Sequence, residues 1–151
     1  MISLILVFTW LQEFNKINTI KTKLREVANY VASEIISLSA LYNLGESSNT
    51  YYYVKLSIPR DIDGYAYNLT IEKQNGKYYL KAYLNLKTWV STQVELSFSE
   101  GGHIVLNYDE KGEIDNTGIF YAYEISSAYK EPLIVCFSDQ DKLHVSLGYR
   151  G

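Results

Sequence analysis

The sequence predicts an α+β protein, with a long N-terminal α-helix followed by an antiparallel β-sandwich-like domain of about eight strands. Three observations carry this reading. Apolar residues recur at helical spacing, without proline or glycine, from the start of the chain to Tyr42. After Gly45 the apolar period changes from 3.6 to 2. Turn signals then recur roughly every eight to twelve residues to the end of the chain. The expected division is residues 1–44 for the helix and 45–151 for the β domain.

The helix has two parts of different chemistry. Met1 to Leu11 (MISLILVFTWL) carries no charge, and Ile2, Leu4, Ile5, Leu6, Val7, Phe8, Trp10 and Leu11 make it apolar on every side. Charges then begin with Glu13, Lys16, Lys21, Lys23, Arg25, Glu26 and Glu34. From that point the apolar residues fall on one stripe: Phe14, Ile17, Ile20, Leu24, Val27, Val31, Ile35, Leu38 and Tyr42. Ile17 to Tyr42 is 25 residues in seven steps, a mean of about 3.6, the period of an amphipathic helix. The stripe continues upstream through Trp10, Val7 and Leu4, which favours one helix over a separate strand. Leu44-Gly45 supplies a stop, because glycine accepts the left-handed conformation at a helix C-terminus.

A helix over about residues 2–43 is roughly 60 Å long at 1.5 Å per residue. A chain of this size folds to a body only about 30–35 Å across. The stripe from Val27 to Tyr42 is expected to lie on the β domain, while the oily start extends beyond it. A bilayer crossing needs about 20 apolar residues, and this run is shorter. It also lacks the basic n-region and small-residue cleavage site of a secretory signal. Three readings of residues 1–11 follow. The segment enters a membrane together with residues upstream of this sequence, it packs on the same segment of neighbouring subunits, or it belongs to the core of its own domain. Trp10 beside the first polar residues suits a membrane interface.

The β domain reads as follows. Tyr51 to Ile58 alternates at its end, and Pro59 to Gly64 (PRDIDG) is a turn. Tyr65 to Ile71 is joined through Asn75-Gly76, a strong hairpin signal, to Tyr78 to Leu86, whose Tyr78, Leu80, Ala82, Leu84 and Leu86 share a face. Thr88 to Phe98, His103 to Tyr108, Ile119 to Ile125, Leu133 to Phe137 and Leu143 to Leu147 complete the set, with Gly101-Gly102 and Asp109 to Gly112 as turns. Half-buried strands account for much of the tyrosine count of 15, ring against the core and hydroxyl in water.

Composition narrows function. Lys and Arg total 14 against 17 for Asp and Glu, a net charge of −3. No basic excess is present to neutralise phosphates, so nucleic acid is not an expected partner. A single cysteine, Cys136, and two histidines, His103 and His144, exclude an intrachain disulfide and a cysteine-based or triple-histidine zinc site. Cys136 lies in the apolar run LIVCF and reads as a buried, inert thiol. The acidic turns Asp61 to Gly64, Asp109 to Asp115 and Asp139 to Asp141 match no twelve-residue calcium loop, and turn chemistry explains them. No nucleophile motif is present, so neither an enzyme nor a cofactor is expected. Asn68-Leu69-Thr70 is an N-glycosylation acceptor pattern, so Asn68 is a candidate modification site if the domain is external. Adjacent tyrosines in a strand point to opposite faces. Exposed ones are candidates for contact with a subunit, a surface layer or a glycan, and cross-strand pairing is the alternative.

The apolar start, the unbroken helix with ANYVASEIISLSALYNLG, and the segments VKLSIPRDIDGYAYNLTI and NGKYYL together resemble archaeal type IV pilin-like surface proteins. The resemblance covers the whole layout and is closest over Val27 to Leu80. It implies a cell-surface structural protein. Its apolar helix would anchor the subunit in the membrane before assembly and form a filament core afterwards, with the β domain outside. The chain as given opens directly on the apolar run, without that family's basic leader and processing site, and without an acidic residue near its start. A membrane-anchored accessory subunit is therefore expected alongside a filament subunit. The alternative is a soluble β-sandwich binding module whose helix completes its own core.

Overall fold

The structure is a computed structural model that describes residues 2–43, 51–97, 104–139 and 142–151. One helix, α1, spans Ile2–Asn43. Ten strands follow among the described residues: β1 (Tyr51–Lys55), β2 (Tyr67–Gln74), β3 (Lys77–Leu84), β4 (Ser91–Leu96), β5 (Ile104–Leu106), β6 (Lys111–Glu113), β7 (Ile119–Ala122), β8 (Glu124–Ser126), β9 (Pro132–Asp139) and β10 (Lys142–Arg150). The expected helix stop at Leu44-Gly45, the Gly101-Gly102 turn and His103 lie outside the described residues, as does part of the Asp139 to Asp141 turn.

The strands form two sheets. The larger runs β1-β9-β10-β7-β6, with β5 also on β10, and the smaller runs β4-β3-β2-β8. All pairings are antiparallel except β5 with β10, which is parallel. The chain is thus α+β, with a sandwich-like arrangement. The Asn75-Gly76 hairpin forms between β2 and β3, with both residues at positive φ (52° and 76°). Positive φ at both central positions matches the right-handed strand twist, which is why this dipeptide is favoured there.

Ten strands rather than about eight arise for two physical reasons. The segment Ile119 to Ile125 reads as one strand but divides at Tyr123. β7 pairs with β10 in the large sheet, and β8 pairs with β2 in the small one. Backbone pairing across a corner cannot be read from alternation, because both halves keep the same period. Second, Lys111–Glu113 lies where a turn is expected to end. Gly112 faces Tyr121 across the ladder, and a Cβ there would lie 2.5 Å from the Tyr121 hydroxyl. The absence of a side chain lets the ring cover that strand.

The main core gathers side chains from all three layers. Leu24, Val31 and Ile35 of α1 meet Leu69, Ile71, Leu80, Ala82 and Leu84 of the small sheet and Ile134, Cys136, Val145 and Leu147 of the large one. α1 lies against β3 and β4 of one sheet and β9 of the other. A satellite core on the far face of the large sheet holds Ile114, Ile119, Leu133 and Val135.

The two halves of α1 differ sharply. Leu24 is 0% exposed and Leu4 is 72% exposed. Leu24→Ala is expected to destabilise the protein by about 2–5 kcal/mol through a cavity. Leu4→Ala is expected to stay within about 0.5 kcal/mol. Urea unfolding of the two variants measures the contrast, and equal losses would mean that the helix start is part of the folded core.

Candidate functional site

The site is the part of α1 that its own body leaves uncovered. Ile2, Leu4, Ile5, Leu6, Val7, Phe8, Trp10, Leu11 and Phe14 are all exposed large apolar side chains. Trp10 and Phe14 stack on each other with ring centroids 5.5 Å apart. Phe14, expected with the packing stripe, therefore sits with the uncovered segment instead. Shelter begins with Ile17, which is partly buried, and is complete at Ile20, Leu24, Val27, Val31, Ile35 and Leu38. The side chain of Tyr42, the last residue of the stripe, lies outside the described set. Ile2 to Phe14 measures roughly 20 Å at the helical rise, less than the roughly 30 Å of a hydrocarbon core. Among the described residues no helix is long and apolar enough to cross a membrane.

One loop packs on α1 from Lys23 to Tyr30, and a second meets the Lys16 end of the sheltered part through Tyr65. The first follows β1. Tyr67 donates its hydroxyl to the Pro59 carbonyl, and Ser127 Oγ donates to the Arg60 carbonyl at 2.7 Å. These bonds hold the loop against the small sheet. Ile62 is buried in the core, Ser57 N–H donates to the Tyr30 hydroxyl at 3.2 Å, and Lys23 Nζ bonds Asp63 Oδ1 at 2.9 Å. A groove of about 480 Å³ runs between loop and helix, lined by Val27, Tyr30, Ile58, Pro59 and Ile62 among others. The second loop joins β3 to β4. Lys87 Nζ sits 5.3 Å from the Tyr65 ring, and Lys16 Nζ of α1 sits 5.8 Å from the same ring.

This second loop departs from expectation. Leu86 is expected on the buried face with Leu84, but it is 87% exposed, and Trp89 is 61% exposed. The strand ends at Leu84 because the chain turns: Val90 N–H donates to the Lys87 carbonyl at 2.9 Å, and Leu84 N–H donates to the Val90 carbonyl at 3.1 Å. The turn carries both side chains outward, which alternation along β3 does not show.

On the opposite face of the small sheet is an open groove of about 590 Å³, lined by Thr70, Glu72, Lys81, Tyr83, Tyr108, Tyr123 and Glu124 among others. Asn68 points to this face. Its Nδ2 donates to Glu124 Oε1 at 2.9 Å and to the Tyr83 hydroxyl at 3.1 Å, and Tyr83 in turn donates to Glu124. Burial, together with the neighbouring carboxylates, raises the Tyr83 pKa above its ordinary value, so the phenol stays a donor. The three side chains thus satisfy one another. Both Asn68 Nδ2 protons are engaged, and a glycan attached there would displace one of these bonds. The outward positions Asn68, Glu72, Lys81 and Tyr83 follow from period-2 alternation, but Glu124 joins them only because β8 pairs with β2.

The remaining candidates are placed as follows. Asp61 Oδ1 accepts from Gly64 N–H at 3.1 Å, and Asp63 is paired with Lys23, so both serve the turn. Among the described residues no group of three or more His, Cys, Asp or Glu side chains could hold a metal ion. His144 stacks on Phe137 at 5.0 Å. Many tyrosines pair with neighbouring rings: Tyr51 with Tyr53, Tyr121 with Phe137, and Tyr129 with Tyr149. Tyr52 projects from the opposite face of β1 and is exposed. Comparison of the chain with family models, curated proteins and solved structures finds no match.

Cys136 is fully buried, and burial pushes its thiol pKa up to about 12. The folded protein is expected to resist alkylation at neutral pH and to react once unfolded, which thiol labelling with and without denaturant measures. Burial, with Asp61 adding to it, also raises the Tyr67 hydroxyl. As the pH rises, both groups lose their protons in the unfolded chain before they do in the folded one. Stability is therefore expected to fall as the pH rises above the ordinary thiol value of 9.0. Urea unfolding at about pH 8 and pH 10 reads the sign, and a rise would contradict the burial of both groups.

Proposed function

We propose that this chain is a structural cell-surface protein that assembles through its N-terminal helix. It serves as a pilin-like filament subunit or a membrane-anchored accessory subunit, with the β domain outside the cell. No catalytic step or cofactor is part of this reading. One observation carries it: nine large apolar side chains, Ile2 to Phe14, stay exposed on the helix, with none of the described residues burying them. Each is worth about 1.5–3 kcal/mol when fully buried. A handful buried together offsets the roughly 4–15 kcal/mol that association costs. The helix can enter an apolar medium because its backbone groups are satisfied internally.

The second reading, a self-contained binding module, is favoured by the burial of Ile20 to Leu38, which completes the body's own core. It leaves Ile2 to Phe14 without a role. Light scattering during gel filtration separates the two. The full chain is expected to self-associate or to require detergent, and a shortened chain beginning at Glu13 is expected to be a folded monomer. A full chain that is monomeric without detergent would favour the second reading. A shortened chain that unfolds would place the segment in the core.

Val7→Lys supplies a finer measurement. Val7 is exposed, so folding is expected to change by no more than about 0.5 kcal/mol. A lysine on the buried surface of an anchoring helix costs about 2.5–3.5 kcal/mol at bilayer depth. Vesicle flotation or self-association should therefore fall steeply while the unfolding midpoint stays the same.

A further inference from the structure

We infer that the β3–β4 loop, through Leu86 and Trp89, is a second contact with the lipid surface beside the helix. This rests on the reading of Ile2 to Phe14 as an anchoring segment, and it extends that reading from the helix to the body. Leu86 and Trp89 are 87% and 61% exposed, the largest apolar exposures among the described residues of the β domain. They are held out by a fixed frame. Val90 is buried, its N–H and carbonyl close the loop onto Lys87 and Leu84, and Asn85 N–H donates to the Ala66 carbonyl at 3.0 Å. Such a frame presents side chains without an ordering cost at the moment of contact.

The loop's position decides the partner. Tyr65 carries the Lys87 ammonium at 5.3 Å and the Lys16 ammonium at 5.8 Å, so the loop lies beside the turn of α1 at which shelter ends. The uncovered segment stops at Phe14, two residues before Lys16. A lipid surface that receives the helix up to Phe14 therefore reaches the body at the level of Lys16, Lys87, Leu86 and Trp89. Tryptophan favours that interfacial depth, and lysines there meet anionic headgroups. Asp61 and Asp63 belong to the neighbouring loop, but Asp63 is paired with Lys23 and Asp61 with the Gly64 N–H. Glu13 is the acidic group on the helix itself at this level.

The two tryptophans allow a direct test on the full chain, because one lies in each region. Trp10→Phe leaves Trp89 as the reporter, and Trp89→Phe leaves Trp10. Each variant is mixed with phosphatidylcholine vesicles with and without phosphatidylglycerol, carrying bromine at shallow or deep acyl positions. Trp89 emission is expected to move to shorter wavelength and to be quenched best by shallow bromine, and Trp10 by deeper bromine. Leu86→Ser should weaken vesicle partition about tenfold. Lys87→Gln should weaken it about fivefold on anionic vesicles and leave it unchanged on neutral ones. If Trp10 is quenched by lipid while Trp89 stays open to aqueous iodide, the loop contact is overturned and the anchor stands. If neither is quenched by lipid, membrane anchoring fails and the loop contact falls with it. If Trp89 becomes shielded without lipid as protein concentration rises, the loop contacts a second copy, which also overturns the inference.

Discussion

A single hydrogen-bonded helix has to satisfy two environments that are incompatible with each other. Its residues Ile20 to Leu38 are covered by both sheets, while Ile2 to Phe14 are covered by none. An α-helix of 42 residues is about twice as long as the body it lies on. No rearrangement of side chains can shorten it. Either the helix breaks or part of it leaves the body, and without glycine or proline in its span nothing favours a break. The uncovered portion carries a single charge, Glu13, near its end, so the mismatch in length coincides with a change in chemistry.

The body is built so that this exit is firm. Tyr67, buried at the start of β2, and Ser127, just past β8, bind the loop that carries Pro59 and Arg60. The same loop then holds α1 through Ile62, Asp63 and the Ser57–Tyr30 bond. The crossing at Tyr123 joins the two sheets covalently, and its carbonyl accepts from Ile71 N–H at 2.9 Å. Leu24, Val31 and Ile35 join the helix to the core shared by both sheets. Exposed surface ion pairs such as Lys55–Glu131 and Lys77–Glu95 add little to this frame. The apolar contacts of the stripe dominate.

Much of the fold is legible in the sequence alone. The helix, the hairpin at Asn75-Gly76 and the inert setting of Cys136 follow from local rules, because each depends on neighbours within one or two turns of chain. The outward placement of Asn68 follows from alternation alone. Its engagement with Tyr83 and Glu124 does not, since residues 68 and 124 meet through strand pairing across the fold. Leu86 departs from its expected face for a different, local reason. Alternation tells which face a residue takes while a strand lasts, but the end of β3 is set by the Val90 hydrogen bonds.

The sequence by itself determined that residues 1–11 are oily on every side, that a one-sided stripe continues the same helix to a length greater than the body, and that strands succeed it. These are matters of period, charge and length, which local residue order contains. The tertiary structure alone decided where cover begins, placing Phe14 outside and Ile20 inside, and which loop shares the exit with the helix. It also divided Ile119 to Ile125 between two sheets. The reason is that burial and pairing depend on how far the sheets extend in space, and residues distant along the chain set that limit.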